Sequence, residues 1–143
     1  MTPTGGETSS RNGEILYQLR RFARSRGDWR IFDSPGDFRL PDGSILSPDA
    51  SLVRDERWQA LTREQLRGFP PLRPGLVLEL ASASHEGPRG VTALDRKMTQ
   101  CQATGATLGW LLLSEERAVE IWRGGLRPGR GLHSRSRARR ATR

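Results

Sequence analysis

The sequence predicts a single α/β domain with a modest hydrophobic core. Its 143 residues are the length of one domain, and only 34% of them are hydrophobic, beside 16 glycines and 9 prolines. Apolar residues recur with helical spacing in two segments and form short strand-like runs elsewhere. Their order along the chain is helix, three strands, helix and two strands, and the chain contains no internal repeat.

The first helix is predicted over residues 12–24, where apolar side chains recur at intervals of three and four residues. Ser9 or Ser10 is the candidate N-cap of this helix. Gly27 is placed to end it.

A strand at 29–32 and a β-hairpin are predicted next. The hairpin turn is Pro41-Asp42-Gly43, because proline presets φ and glycine supplies the left-handed position. We expect the second arm to continue as far as Val53. Since a proline cannot donate to a strand ladder, a bulge or a sheet edge is expected at Pro48.

The second half of the chain alternates between strands and helices. The predicted elements are a short helix at 62–67, a strand at 76–80, a helix at 92–104 and strands at 108–113 and 118–122. Thr92 is the candidate cap of the longer helix and Gly105 its stop. The strand at 76–80 is apolar enough to be buried on both faces, and Glu79 is its only polar residue. Cys101 lies on the apolar stripe of the helix and is expected to be a core residue.

The formal net charge of +8 is unevenly distributed. Residues 123–143 hold eight arginines and no acidic residue, which leaves 16 basic and 16 acidic residues before them. We expect 124–143 to be a disordered tail, since glycine, proline, serine and arginine offer little apolar surface. Lys97 is the only lysine among the 24 basic residues. Because arginine serves as the ordinary cation here, Lys97 is a candidate for a position that needs an ammonium group.

Several classes of site and location are disfavoured. Cys101 is the single cysteine, so an intrachain disulfide is excluded. The apolar runs reach about five residues where a membrane span needs about 20, and no signal-like segment is visible. We therefore expect a soluble, cytoplasmic protein without membrane contact. His85 and His133 lack a cysteine partner and no P-loop lysine is present, so zinc and P-loop sites are unsupported.

Asp49, Glu79 and Lys97 are polar residues at positions where local structure disfavours them. If the strands of Asp49 and Glu79 are neighbours, about 4.8 Å apart, both carboxylates point to one spot. Such a pair needs a proton or a divalent cation, and Mg²⁺ suits one or two carboxylates with waters and phosphate oxygens. With an ammonium nearby, this arrangement describes a phosphodiester hydrolase. The alternatives are a strand glutamate paired with an arginine, an aspartate in a turn and a solvated lysine.

These three residues and the segments around them resemble the PD-(D/E)XK nuclease superfamily. Within it they are most similar to the Uma family, whose members carry the description "putative restriction endonuclease". The resemblance spans residues 3 to 123, and the segments that carry it are 3–8, 43–51, 76–82 and 108–112. It departs from the family pattern at Cys101, where an aromatic residue is usual, and in the loop that follows Glu79.

The resemblance implies a restriction-endonuclease-like α/β core, with a mixed β-sheet flanked by helices. It implies that Asp49 and Glu79 bind Mg²⁺ or Mn²⁺ and that Lys97, on a helix, takes the role of the motif lysine. Glu7 resembles an additional acidic residue of the family, although a charge at a helix start is nearly as good an interpretation. Ser51 is a candidate for aligning the first strand of the site. The nuclease-like domain is expected to occupy residues 1–123, shortened at its N-terminus.

The implied function is a metal-dependent DNA endonuclease with DNA as partner, and a homodimer stays open as its assembly. The alternative is a catalytically inactive truncated remnant, or a non-catalytic nucleic-acid-binding protein that uses the arginine-rich tail. Eight arginines that contact phosphates would make such binding steeply dependent on salt.

Overall fold

The structure is a computed structural model that describes residues 5–33, 37–81, 88–103, 105–113 and 118–123. Its helices and strands, in chain order, are α1 (Gly6–Arg26), β1 (Trp29–Asp33), β2 (Phe38–Arg39), β3 (Ile45–Leu46), β4 (Ala50–Arg54), α2 (Asp55–Gln59), α3 (Arg63–Arg67), β5 (Leu76–Ala81), α4 (Pro88–Ala103), β6 (Leu108–Leu113) and β7 (Ala118–Arg123). The predicted tail at 124–143, His85 and His133 lie outside the described residues.

A five-stranded sheet in the order β1-β4-β5-β6-β7 forms the centre of the molecule. Strands β5 and β6 run parallel, and every other neighbouring pair runs antiparallel. The predicted mixed sheet flanked by helices is therefore confirmed.

Helix α1 packs on one face of this sheet through Leu19 and Ala23, which are buried against side chains of β4 and β5. The helix begins at Gly6, six residues earlier than predicted, and has no side-chain N-cap. The predicted cap at Ser9 or Ser10 is therefore wrong, because both lie inside the helix. Gly27 ends the helix as predicted: its φ is 77° and its N–H donates to the carbonyl of Ala23.

Helix α4 and the β2–β3 hairpin cover the opposite face of the sheet. Cys101 is fully buried in a cluster with Val77 of β5 and Leu46 of β3, which confirms it as a core residue. Met98 packs in a second cluster with Trp122 of β7. The site described below lies on this covered face.

Five strands precede α4, because the second arm of the predicted hairpin is divided into β3 and β4. The expected continuous arm from the hairpin to Val53 is wrong, since β3 ends at Leu46 and pairs with β2 in a separate two-stranded sheet. The chain then passes through buried Pro48 and joins the central sheet at Ala50. Proline has no N–H for a ladder bond, so the chain changes sheets at this residue.

The helices differ from the prediction mainly at their starts. Helix α4 begins at Pro88, since proline is well suited to the first turn, and Thr92 lies inside the helix rather than at its cap. Helix α2 is not predicted. Helix α3 confirms the short helix, and Thr62 caps it in a reciprocal capping box with Gln65. Gly105, with φ 107°, follows the end of α4. Among the described residues, none of the helices is long and apolar enough to cross a membrane.

Candidate active site

Asp49, directly before β4, lies at a position that faces Glu79 of the neighbouring strand β5. Strands β4 and β5 pair antiparallel with Ala50 opposite Leu78, and continuing this register by one residue places Asp49 opposite Glu79. The backbone N–H of Leu80 donates to Oδ2 of Asp49 at 2.8 Å. The condition for a two-carboxylate site, that the two strands are neighbours, is thus met.

Glu79 is buried within the sheet face that α4 covers. Only 3% of its surface is exposed, and it shares this face with Val77, while Leu78 points toward α1. The carboxylate of Asp49 is half-buried beside it. Two acidic side chains therefore meet at the boundary between the apolar core and solvent.

Lys97, on α4, is the third side chain of the cluster that contains Asp49 and Glu79. Its Nζ lies 2.7 Å from Oε1 of Glu79, and it donates a hydrogen bond to the carbonyl oxygen of Ser47 at 2.8 Å. The side chain of Lys97 is one-third exposed, so its ammonium group is reachable from solvent while it neutralises the buried carboxylate. The structure thus brings together the three residues that the sequence singles out.

Burial raises the pKa of Glu79 from 4.5 to about 7. The attraction of Lys97 opposes this shift, whereas the nearby charge of Asp49 adds to it. Burial likewise raises the pKa of the Cys101 thiol to about 12, and the charge of Glu79 contributes. Cys101 is therefore a poor nucleophile, in agreement with its place in the core.

The alternative interpretations of the three residues fit the structure less well. Among the residues that the structure describes, Glu79 pairs with Lys97 and with no arginine, and the carboxylate of Asp49 bridges to the next strand instead of closing a turn. Lys97 contacts two groups of the site and is not simply solvated. Each of the three side chains is held by another part of the site.

Ser51 lies on β4, opposite Val77 and one step along the same face from the carboxylate pair. It is fully buried, and its Oγ has no hydrogen-bond partner in the described part of the chain. Its role in aligning the strand stays a prediction.

Glu7 lies away from the cluster of Asp49, Glu79 and Lys97. It lies in the first turn of α1, on the other layer of the fold, with 77% of its side chain exposed and its Oε1 2.5 Å from Arg11. No contact between described residues joins it to Asp49, Glu79 or Lys97. The geometry agrees with the interpretation of Glu7 as a charge at a helix start, and a role at the site stays a prediction.

Two hydrogen bonds at the site could not be predicted from the sequence, because their acceptors are a backbone carbonyl and a small polar side chain. In one of them, the carbonyl oxygen of Ser47 accepts from Lys97. The other is a hydrogen bond of 3.1 Å from Gln100 to the Oγ of Ser44, which ties α4 to the hairpin. Together these contacts hold the helix that carries Lys97 in place over β5.

The donor set allows a single hard cation. Asp49 and Glu79 supply carboxylate oxygens, and no cluster of three or more His, Cys, Asp or Glu residues occurs within the described segments. Zinc is held by three or four protein ligands and calcium by about six to eight oxygen ligands, whereas Mg²⁺ is commonly held by one or two carboxylates with water and substrate oxygens. The residues present therefore fit Mg²⁺ or Mn²⁺.

The mixed sheet, the helices on both of its faces and the acidic pair with its lysine define an α/β protein with a nuclease fold. A crystal structure from Anabaena variabilis ATCC 29413, titled a putative nuclease belonging to DUF820, superimposes with a TM-score of 0.65. The two chains are 19% identical, and the match covers 89% of this chain and 67% of that one.

The chain belongs to the Uma2 family, described as "Putative restriction endonuclease", whose model matches residues 1–137. The resemblance to the Uma family found in the sequence is thereby confirmed. No curated protein matches the chain.

Proposed function

We propose that this protein is a metal-dependent DNA endonuclease of the PD-(D/E)XK type, which hydrolyses phosphodiester bonds. The observation that carries the proposal is the convergence of three side chains from three elements: Asp49 before β4, Glu79 in β5 and Lys97 in α4. Membership in a family described as "Putative restriction endonuclease" and the fold shared with the structural neighbour support it.

Asp49 and Glu79 would hold Mg²⁺ or Mn²⁺. Burial and the charge of Asp49 both disfavour ionised Glu79, and a divalent cation between the carboxylates would offset this cost. When bound, such an ion acidifies a water molecule and polarises the phosphoryl group.

The protein's own groups position the reaction. The N–H of Leu80 holds one carboxylate oxygen of Asp49 by a hydrogen bond. Lys97, tethered by the carbonyl of Ser47, places an ammonium group beside Glu79. There it can hold the attacking water by donating a hydrogen bond, and it offsets negative charge that develops on the phosphate. Glu7, as the family's additional acidic residue, and Ser51, as an aligning residue, are accessory to this scheme.

Single-turnover cleavage of plasmid DNA in Mg²⁺ or Mn²⁺ tests the proposal. Asp49→Ala and Lys97→Ala should each slow cleavage on the order of 10²-fold or more, the scale seen when one stabilising group is removed from an active site. Glu64→Ala, which removes an exposed carboxylate in α3, serves as the matched control and should cleave like the wild type. Equal rates for wild type and Asp49→Ala would refute the assignment.

A further inference from the structure

We propose that the outer face of α1 is a docking surface for the phosphate backbone of duplex DNA. The surface consists of Tyr17, Arg20, Arg21 and Arg24 and is called the α1 basic face. The proposal rests on DNA being the substrate, and it adds a binding surface outside the candidate active site.

The charge of α1 is concentrated in its C-terminal half. Residues 17–26 contain four arginines and no acidic residue. Spacings of three and four residues place Tyr17, Arg20, Arg21 and Arg24 on one side of the helix, away from the buried Leu19. All four side chains of this face are exposed.

In the described part of the chain, no carboxylate forms an ion pair with the arginines of the α1 basic face. Within the described segments, Arg20 and Arg24 make no ion pair or hydrogen bond, and Arg21 lies over the ring of Tyr17 at 5.8 Å. Three other arginines are engaged by carboxylates: Arg11 by Glu7, Arg30 by Asp55 and Arg54 by Asp28. The favourable effect of cations near a helix C-terminus is confined to the last turn, so it does not account for Arg20 and Arg21.

Two open grooves between α1 and β1 adjoin this face, and Arg20 lines both of them. One groove, of about 410 Å³, is also lined by Arg24, Trp29 and Asp55. The other, of about 460 Å³, is lined by Tyr17, Ile31 and Asp33. Phosphates would contact the arginines at the rim of these grooves and not the aspartates, because arginine binds phosphate in a forked geometry.

The α1 basic face and the candidate active site lie on opposite faces of the central sheet, since α1 packs against Leu78 and Lys97 of α4 contacts Glu79. The helix layer alone stands about 10 Å from the sheet, so the two sites are more than about 15 Å apart. Only a duplex that extends past the β1 edge of the sheet would contact both, and the α1 basic face is therefore proposed as a separate docking surface.

The experiment measures binding of the full chain to a 20-base-pair duplex in EDTA, which prevents cleavage, at several salt concentrations. The variant Arg20→Gln/Arg21→Gln/Arg24→Gln removes three charges from the α1 basic face. The control removes three charges from exposed arginines elsewhere: Arg63→Gln/Arg67→Gln/Arg123→Gln.

Each lost phosphate contact should lower the slope of log K against log salt by about 0.9, so the slope of the first variant should fall by nearly 3. Its affinity at 0.1 M salt should fall on the order of 10²-fold, while the control stays near the wild type. Equal slopes and affinities in the two variants would overturn the docking surface, even if the protein cleaves DNA. Loss confined to the α1 variant supports the surface, even if the wild type cleaves no DNA and the proposed nuclease function fails.

Discussion

Replacing Glu79 by glutamine should change how the stability of the metal-free protein depends on pH. Burial raises the pKa of Glu79 from 4.5 to about 7, so the folded state holds this proton over a range in which the unfolded state has lost it. Between those two values the folded state binds more protons, and the free energy of unfolding therefore falls as pH rises. At 1.36 kcal/mol per pKa unit, the wild type loses about 3 kcal/mol by pH 8 relative to pH 4 through this group. The side chain of Glu79→Gln cannot ionise, so the free energy of unfolding of this variant does not fall through this group.

Urea unfolding in EDTA at pH 4 and pH 8 measures the effect. We expect Glu79→Gln and wild type to have similar stability at pH 4 and the variant to be about 3 kcal/mol more stable at pH 8. Glu64→Gln, a change at an exposed carboxylate, should show no such difference between the two pH values. The reasoning is refuted if Glu79→Gln is no more stable than wild type at pH 8, because Glu79 would then carry its charge in the fold without penalty.

Three further predictions concern the fold. Gly75→Ala should lower the free energy of unfolding in urea by about 1–3 kcal/mol, because a Cβ there would lie 2.7 Å from the ring of Trp29. Gly13→Ala, in open space on α1, should instead raise it by up to about 1 kcal/mol. The opposite order of stabilities would contradict the packing. Thr62→Ala removes the cap of α3 and should cost about 1 kcal/mol, seen as faster amide exchange in that helix; unchanged exchange would show that the cap is not stabilising. Cys101, fully buried with its pKa raised to about 12, should react with a thiol reagent only after unfolding, and rapid labelling of the native protein would contradict its place in the core.

The candidate site was predictable because its residues contradict their local surroundings. Glu79 is the only polar residue in an apolar strand, and Lys97 is the only lysine in the chain. Both anomalies are visible without a structure, since burial of a charge is costly unless a partner is present. The positions of Asp49 and Glu79 then depend only on β4 and β5 being neighbours, which the structure shows.

The hairpin and the helix starts were less predictable because long-range packing decides them. Strands β2 and β3 contain two residues each, and nothing in their local pattern shows that they form a sheet of their own. Pro48 signalled a disruption, but whether the chain bulges there or leaves for another sheet depends on the partners available to Ala50. Similarly, the backbone carbonyl of Ser47 becomes part of the site only through the position of α4.

Calorimetric titration of the protein with Mn²⁺ at pH 8, without DNA, tests most directly whether Asp49 and Glu79 form one cation site. The wild type and the Glu64→Ala control should bind one ion with the same affinity, and Asp49→Asn and Glu79→Gln should each lose this binding. Circular dichroism of each variant shows whether it remains folded. If folded Asp49→Asn binds Mn²⁺ as tightly as the wild type, the two carboxylates do not form the metal site.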